Sequence, residues 1–260
     1  MGYRLLCLDA GFTLLTPRHS MADTLAGALA EDGHAITEDD LRAAWEASDR
    51  WFWDEYHRPG NDTWSDDAKI EDYWRRYHGV LLGQLKVRDP DEVLERVLAS
   101  QFASDAWELY PDVEPMLREV RALGVPIGIV SDWGSNLREI AGTLGLDDYV
   151  DFVLPSGAVG VAKPNPAFFA IALERAGVAA HEGVMVGDSY RADVRGAWAA
   201  GMDAAWLDRT EGISITPDDE PPPTDVRVIR TLAEVPEIVR GGGPLPRGSE
   251  FVAADQPARA

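Results

Sequence analysis

The chain has 260 residues, 45% of them apolar, with nine Trp and a formal net charge of −21 at pH 7. That is apolar material for one sizeable core and a smaller appended domain, while the negative charge and the lack of any Lys/Arg cluster exclude nucleic acid as a partner. A single Cys excludes intramolecular disulfides and suits a reducing compartment, and no apolar run is long enough for a membrane span or signal peptide, so a cytoplasmic location is expected.

The apolar run from Tyr3 to Leu8 has no helical period and reads as a strand buried on both faces. It ends in Asp9, and the carboxyl ends of central parallel strands are where such sheets bind ligands. A carboxylate there can ligate a metal, attack phosphorus or carbon held in line, or simply cap a turn.

After Leu15 no strand pattern returns until Val125, so residues 16–108 are expected to form a helical cap. Pro17 can open a helix with Met21, Leu25 and Leu29 on one face, ending near Gly33. Thr37 and Asp40 resemble a capping box for a second helix carrying Leu41, Ala44, Trp45, Trp51 and Phe52, which Arg58-Pro59-Gly60 breaks. A third helix is expected from about Asp67 through Ile70, Tyr73, Trp74, Tyr77 and Leu81, and a fourth from Asp91 through Val97 and Leu98. The aromatic residues Trp51, Trp53, Tyr56 and Trp64 could line a recognition surface, but a four-helix cap needs a core and that use is the simpler one.

The second half alternates strand and helix in the way that builds a parallel sheet, so residues 1–15 and 109–240 are expected to form an α/β core. Asp112 can cap a helix bearing Val113, Met116, Leu117 and Val120, with Gly124 at its end. Val125–Val130 is a strand ending at Ser131-Asp132, and a helix from about Ser135 to Leu144 follows. Phe152–Leu154 is a short strand, and Asn165-Pro166 starts a helix stopped by Gly177. Val184–Val186 is a strand ending at Gly187-Asp188, the next helix stops at Gly201, and Ala204–Leu207 is another strand. From Thr216 the chain is rich in Pro and acid, a short helix is expected near Leu232 to Val239, and 241–260 read as a disordered tail.

Three strand ends thus carry Asp9, Ser131 and Asp188, and Lys163 lies just before a helix in the same half. Two carboxylates on adjacent strand ends make a hard oxygen site suited to Mg²⁺, and a hydroxyl and an ammonium can hold further phosphate oxygens. Taken singly, Lys163 could be a solvated loop residue, Ser131 a helix-entry residue and Asp188 a helix cap. Their convergence is the stronger sign.

These residues resemble the four motifs of the haloacid dehalogenase (HAD) superfamily of hydrolases. Asp9–Thr13 is similar to the first, Ile129-Val130-Ser131-Asp132 to the second, Gly160–Pro166 with Lys163 to the third, and Val186-Gly187-Asp188-Ser189 with Asp193 to the fourth. The insertion resembles the C1-type helical cap of subfamily I, and the overall pattern is similar to the group around haloacid dehalogenase-like hydrolase domain-containing protein 3. The resemblance implies a Rossmann-like core, Mg²⁺ dependence and a small phosphorylated substrate turned over through an aspartyl-phosphate on Asp9. It places Thr13 among the catalytic residues, Ser131, Asp132 and Lys163 on the substrate, and Asp9, the Gly11 carbonyl, Asp188 and Asp193 at the metal. It leaves the oligomeric state open.

One departure matters. Phosphatases of this superfamily carry a second Asp two residues after the nucleophile, where this chain has Gly11. General-acid help is worth about 10²–10⁴-fold, so activated phosphates are expected to be favoured unless another donor such as His19 stands in. Two rivals follow: a dehalogenase that attacks carbon with the same Asp, and a HAD-fold binding protein of low or no turnover.

Overall fold

The computed structural model describes residues 2–31, 36–87, 89–209 and 226–247. In chain order the first elements are β1 (Leu5–Leu8), β2 (Leu15–Pro17), α1 (Met21–Glu31), α2 (Glu38–Tyr56), α3 (Asp67–Gln84), α4 (Pro90–Phe102) and β3 (Trp107–Leu109). Next come α5 (Val113–Ala122), β4 (Ile127–Ser131), α6 (Leu137–Thr143), β5 (Phe152–Pro155), α7 (Ser156–Val159) and α8 (Pro166–Ala176). The last are β6 (Gly183–Gly187), a π-helical turn (Tyr190–Arg195), α9 (Gly196–Ala199), β7 (Asp203–Leu207), β8 (Val228–Ile229) and α10 (Val235–Gly241).

Six strands pair in parallel in the order β5-β4-β1-β6-β7-β8, making the α/β Rossmann-like fold expected from the sequence. β1 is central because it is apolar on both faces. Leu6 and Leu8 pack with Val113 and Leu117 of α5, whereas Leu5 and Cys7 pack with Phe168 and Phe169 of α8 and Trp198 of α9. Alternate residues of one strand therefore serve two helical layers. Since every strand runs the same way, Asp9, Ser131 and Asp188 emerge on one edge of the sheet.

Helices α1–α4 lie between β2 and β3, which pair antiparallel and bring the two ends of the helical segment together. The segment has apolar clusters of its own, one around Leu25, Leu81 and Val93 and another around Phe52, Tyr73 and Tyr77. The capping box at Thr37 and Asp40 is present, and Asn165 caps α8 by accepting from Ala167 N–H at 3.0 Å.

Several local expectations fail for identifiable reasons. Pro17 does not open a helix: it pairs with Trp107 at the end of β2, and the Ser20 hydroxyl caps α1 by accepting from Asp23 N–H at 3.1 Å. The partner strand β3 went unread because three half-exposed residues carry no periodicity. Asp112 makes no cap contact with α5; it accepts instead from Arg209, the Thr231 hydroxyl and Leu232 N–H, joining three segments distant in sequence. A tail starting at 241 starts too early. α10 includes Gly241, Gly243 accepts from the Tyr3 hydroxyl at 2.6 Å, and Arg247 bonds the Asp203 carboxylate at 3.2 Å. The readings at Gly33, along the Pro- and acid-rich stretch from Thr216, and beyond residue 247 lie outside the described residues. Among the described residues, no helix is long and apolar enough to cross a membrane.

Burial alone would push the Asp112 carboxyl up, but the bonds from Arg209, Thr231 and Leu232 outweigh it and hold the group below the ordinary carboxylate range. A depressed carboxyl contributes stability above its unfolded pKa of about 4 and loses it as pH falls through the lower folded value. Asp112→Asn is expected to cost about 2 kcal/mol at neutral pH and to shrink the acid-side loss of Tm. Thermal melts of both proteins from neutral pH down to about pH 3 check this, and superimposable acid limbs would refute it.

Candidate active site

The Asp9 N–H donates to the Val186 carbonyl at 3.0 Å, which binds the first residue after β1 to the end of β6 and sets Asp9 beside Asp188. The turn after β6 then folds back. Ser189 N–H donates to Asp193 Oδ2 at 3.0 Å, and the Ser189 hydroxyl, not Asp188, caps the turn by accepting from Ala192 N–H. Gly187 permits this return: a Cβ there would lie 2.1 Å from Asp193 Oδ2, so only glycine leaves room for that carboxylate. One carboxylate oxygen each from Asp9, Asp188 and Asp193 consequently fall within 4.8 Å of one another.

Lys163 enters from the loop before α8 and is no solvated loop residue. Its Nζ donates to Asp9 Oδ1 and to Asp193 Oδ1, both at 2.6 Å, with the side chain buried. The Lys163 backbone N–H donates to Asp132 Oδ1 at 2.9 Å, so Asp132 fastens the loop that delivers the lysine. Thr13 is buried and its hydroxyl donates to Asp188 Oδ1 at 3.1 Å, while Trp206 Nε1–H donates to the Asp188 carbonyl at 2.8 Å.

Burial and the fields of Asp9 and Asp193 push the Asp188 carboxyl well above its ordinary range. Burial likewise raises Asp193 to about 6 and Asp132 to about 7, against the opposing pull of Lys163. For Lys163 burial works against the charge, but Asp193, Asp9 and Asp132 outweigh it and hold the ammonium well above the usual lysine value. Three carboxylates facing one ammonium leave an excess of two negative charges when all are ionised. A hard divalent cation is the ion such a donor set accommodates, because it would offset both the burial and the smaller mutual repulsion that raise these carboxyls.

Asp9, Lys163, Asp188 and Asp193 open onto one cavity of about 630 Å³, which Gly11, Ser131 and Asp132 also line. Ser131 is buried at the end of β4, and the exposed His19 reaches the same cavity. Gly11 does not occupy the left-handed region, but a Cβ there would meet Cζ3 of Trp133 at 3.1 Å. Trp133 in turn packs edge-on to Trp107 at 4.6 Å between ring centroids. Neither Trp was singled out from sequence. Trp133 directly follows Ser131-Asp132, and that adjacency is the signal that could have found it. The neighbouring Phe12 holds a φ of 53°, a sparsely populated conformation for a bulky residue.

Parallel strand ends that gather three carboxylates and a lysine define an α/β protein with an acidic site built around Asp9. The chain belongs to the haloacid dehalogenase-like hydrolase family, whose model matches residues 3–201. It is 39% identical to a phosphoserine phosphatase of Thermus thermophilus over 62% of this chain and 71% of that protein. It is 34% identical to haloacid dehalogenase-like hydrolase domain-containing protein 3 of Danio rerio over 63% of this chain and 67% of that protein. Among solved structures, a 2-haloacid dehalogenase from Pseudomonas syringae superposes with a TM-score of 0.59 at 26% identity, covering 92% of this chain and 99% of the other. Relatives of both chemistries share the fold, so the choice between phosphorus and carbon rests on the site.

Because Gly187 makes room for Asp193, Gly187→Ala is expected to displace that carboxylate while the sheet still folds, at a cost of about 1–3 kcal/mol. Calorimetric titration with Mg²⁺ should show affinity falling by about tenfold or more. Wild-type affinity in a folded Gly187→Ala protein would show that Asp193 contributes nothing to cation binding.

Proposed function

We propose that the protein is a Mg²⁺-dependent phosphatase acting on a small phosphorylated metabolite, with residues 1–15 and 109–240 as catalytic core and 16–108 as cap. The observation that carries this reading is the gathering of Asp9, Asp188 and Asp193 around Lys163 at the sheet edge. The phosphatase named among the relatives agrees with it. Carbon attack by Asp9 requires no such excess of buried carboxylates.

Asp9 attacks phosphorus in line, forming an acyl-phosphate bond as the ester P–O bond breaks and the leaving oxygen departs with the electron pair; water then hydrolyses the acyl phosphate. Two of the three Lys163 N–H donors are taken by carboxylates, which leaves one for a phosphoryl oxygen. Ser131 offers its hydroxyl to another. Asp132 acts through the Lys163 loop and is assigned as a positioning residue. Thr13 holds Asp188 in place. Asp9, Asp188 and the Gly11 carbonyl, with Asp193 beside them, would hold Mg²⁺, which supplies neutralisation of the phosphoryl charge.

Asp9→Asn should abolish phosphate release from acetyl phosphate, by about 10³-fold or more, and EDTA should silence the wild type. Chelator-resistant halide release from a 2-haloacid would replace this reading with the dehalogenase one. Mg²⁺ binding without any turnover would leave a binding protein. A carboxyl raised in the folded state destabilises that state as pH climbs from the unfolded pKa through the folded one, and a bound cation removes this cost. The Tm increment given by Mg²⁺ should therefore grow between about pH 5 and pH 7.5, and an increment that shrinks with pH would contradict the site assignment.

Gly11 adds a kinetic expectation. Without a general acid, rates should depend steeply on leaving-group acidity, and Gly11→Asp alone should restore little because the Trp133 ring stands 3.1 Å from its Cβ. Gly11→Asp combined with Trp133→Ala should flatten the dependence and raise alkyl phosphate hydrolysis by about tenfold. A flat dependence in the wild type would reveal a surrogate acid, with His19 the first candidate.

A further inference from the structure

Four features of the cavity bear on what leaves when the P–O bond breaks. Its volume of about 630 Å³ extends well beyond the carboxylates, into the range that accommodates drug-sized ligands. The far wall is aromatic, formed by Phe52, Trp53, Tyr56, Trp64, Trp74 and Tyr77. These differ from Trp51 and Tyr73, which belong to the same cluster but do not reach the cavity, so the aromatic set serves both as packing and as a lining. Trp133, whose ring stands beside Gly11, lines the same cavity.

The charges are as selective as the surface. Among the described residues that line the cavity, the one Lys or Arg is Lys163, and Asp9 and Asp193 engage two of its donors. Asp49, exposed on α2, faces the same cavity. Among the described lining residues, a leaving group bearing a carboxylate or a second phosphate would meet acids and no Lys or Arg beyond Lys163, whose remaining donor is taken by the phosphoryl group itself. Finally, Gly11 supplies no proton, so with no surrogate acid the leaving oxygen carries its negative charge unaided. Acyl, enol and aryl oxygens can do that, and of these a flat, uncharged ring is the one that fills an apolar aromatic chamber.

We propose that the physiological substrate class is an aryl phosphate monoester whose leaving group is an uncharged phenol, in extent a fused bicyclic ring or larger. This deepens the phosphatase reading and rests on it. Asp9 takes the phosphoryl group, the P–O(aryl) bond breaks, and the phenolate leaves with the electron pair and is protonated by water.

The full-length wild type with saturating Mg²⁺ is assayed on phenyl phosphate, 1-naphthyl phosphate, 4-carboxyphenyl phosphate and acetyl phosphate. Phenol and 1-naphthol are similar in acidity, so their comparison reads the chamber rather than the chemistry. The expected result is a kcat/KM about tenfold higher for 1-naphthyl than for phenyl phosphate, carried mainly by KM. The 4-carboxyphenyl ester should fall below the phenyl ester although its leaving group is the better one. Trp53→Ala should collapse the naphthyl-to-phenyl ratio towards one. If that variant misfolds, Trp53→Phe should reduce the ratio by a smaller factor.

Equal kcat/KM for the phenyl and naphthyl esters, or preference for the carboxylated one, would overturn the proposal while turnover of acetyl phosphate kept the phosphatase reading intact. If no phosphate is hydrolysed, that reading fails. Calorimetry with 1-naphthyl phosphate then decides the chamber separately: binding about tenfold tighter than phenyl phosphate upholds an aryl site, and equal binding removes it.

Discussion

The ammonium of Lys163, buried between Asp9 and Asp193, is the contact on which the rest of the site depends. Without a cation, three carboxylates could not share the end of a parallel sheet, since each buried charge raises the cost of ionising the next. The lysine does not satisfy the whole excess. What remains is a negative excess that a divalent ion could neutralise. The surrounding structure serves this arrangement: Asp132 fastens the lysine's loop, Thr13 holds Asp188, and Gly187 yields its side-chain space to Asp193.

The helical segment supplies what the sheet lacks. A sheet edge alone offers charge but little apolar surface to enclose a ligand. Helices α2 and α3 bring aromatic side chains over that edge, and contacts from α2, α3 and α4 tie the helical segment to the core. Asp67 Oδ1 accepts from Ser135 N–H at 2.8 Å, the Phe102 carbonyl accepts from Asn136 Nδ2 at 3.1 Å, and the Arg191 guanidinium lies 5.6 Å from the Tyr56 ring centroid. Two of these anchors follow Ser131 and Asp132 within a few residues, and Arg191 lies between Asp188 and Asp193. The loops that form the reacting centre therefore also position its cover.

Gly11 and Trp133 are best understood together. A glycine at the position after Ala10 removes a proton donor, and the Trp133 ring occupies the neighbourhood a side chain would need. On the proposed phosphatase reading, this pair would set an aromatic surface beside Asp9 in place of a proton donor.

By itself the sequence determined the parallel α/β core and the four helices inserted after its first strand, and it put Asp9, Ser131, Lys163 and Asp188 forward as candidates, because doubly buried strands leave a local apolar signature whose end marks the residues that follow. It did not reveal the β2–β3 pair, whose three-residue strands are too short for any period, nor the role of Asp112, whose partners lie 97 to 120 residues away. Tertiary structure alone decided that Lys163 bridges two carboxylates, that Asp132 holds its loop, that Gly187 accommodates Asp193, and that Trp133 covers Gly11. Each is a contact between segments separated along the chain, set by the close approach of loops at one sheet edge, and no local pattern of residues encodes such a distance.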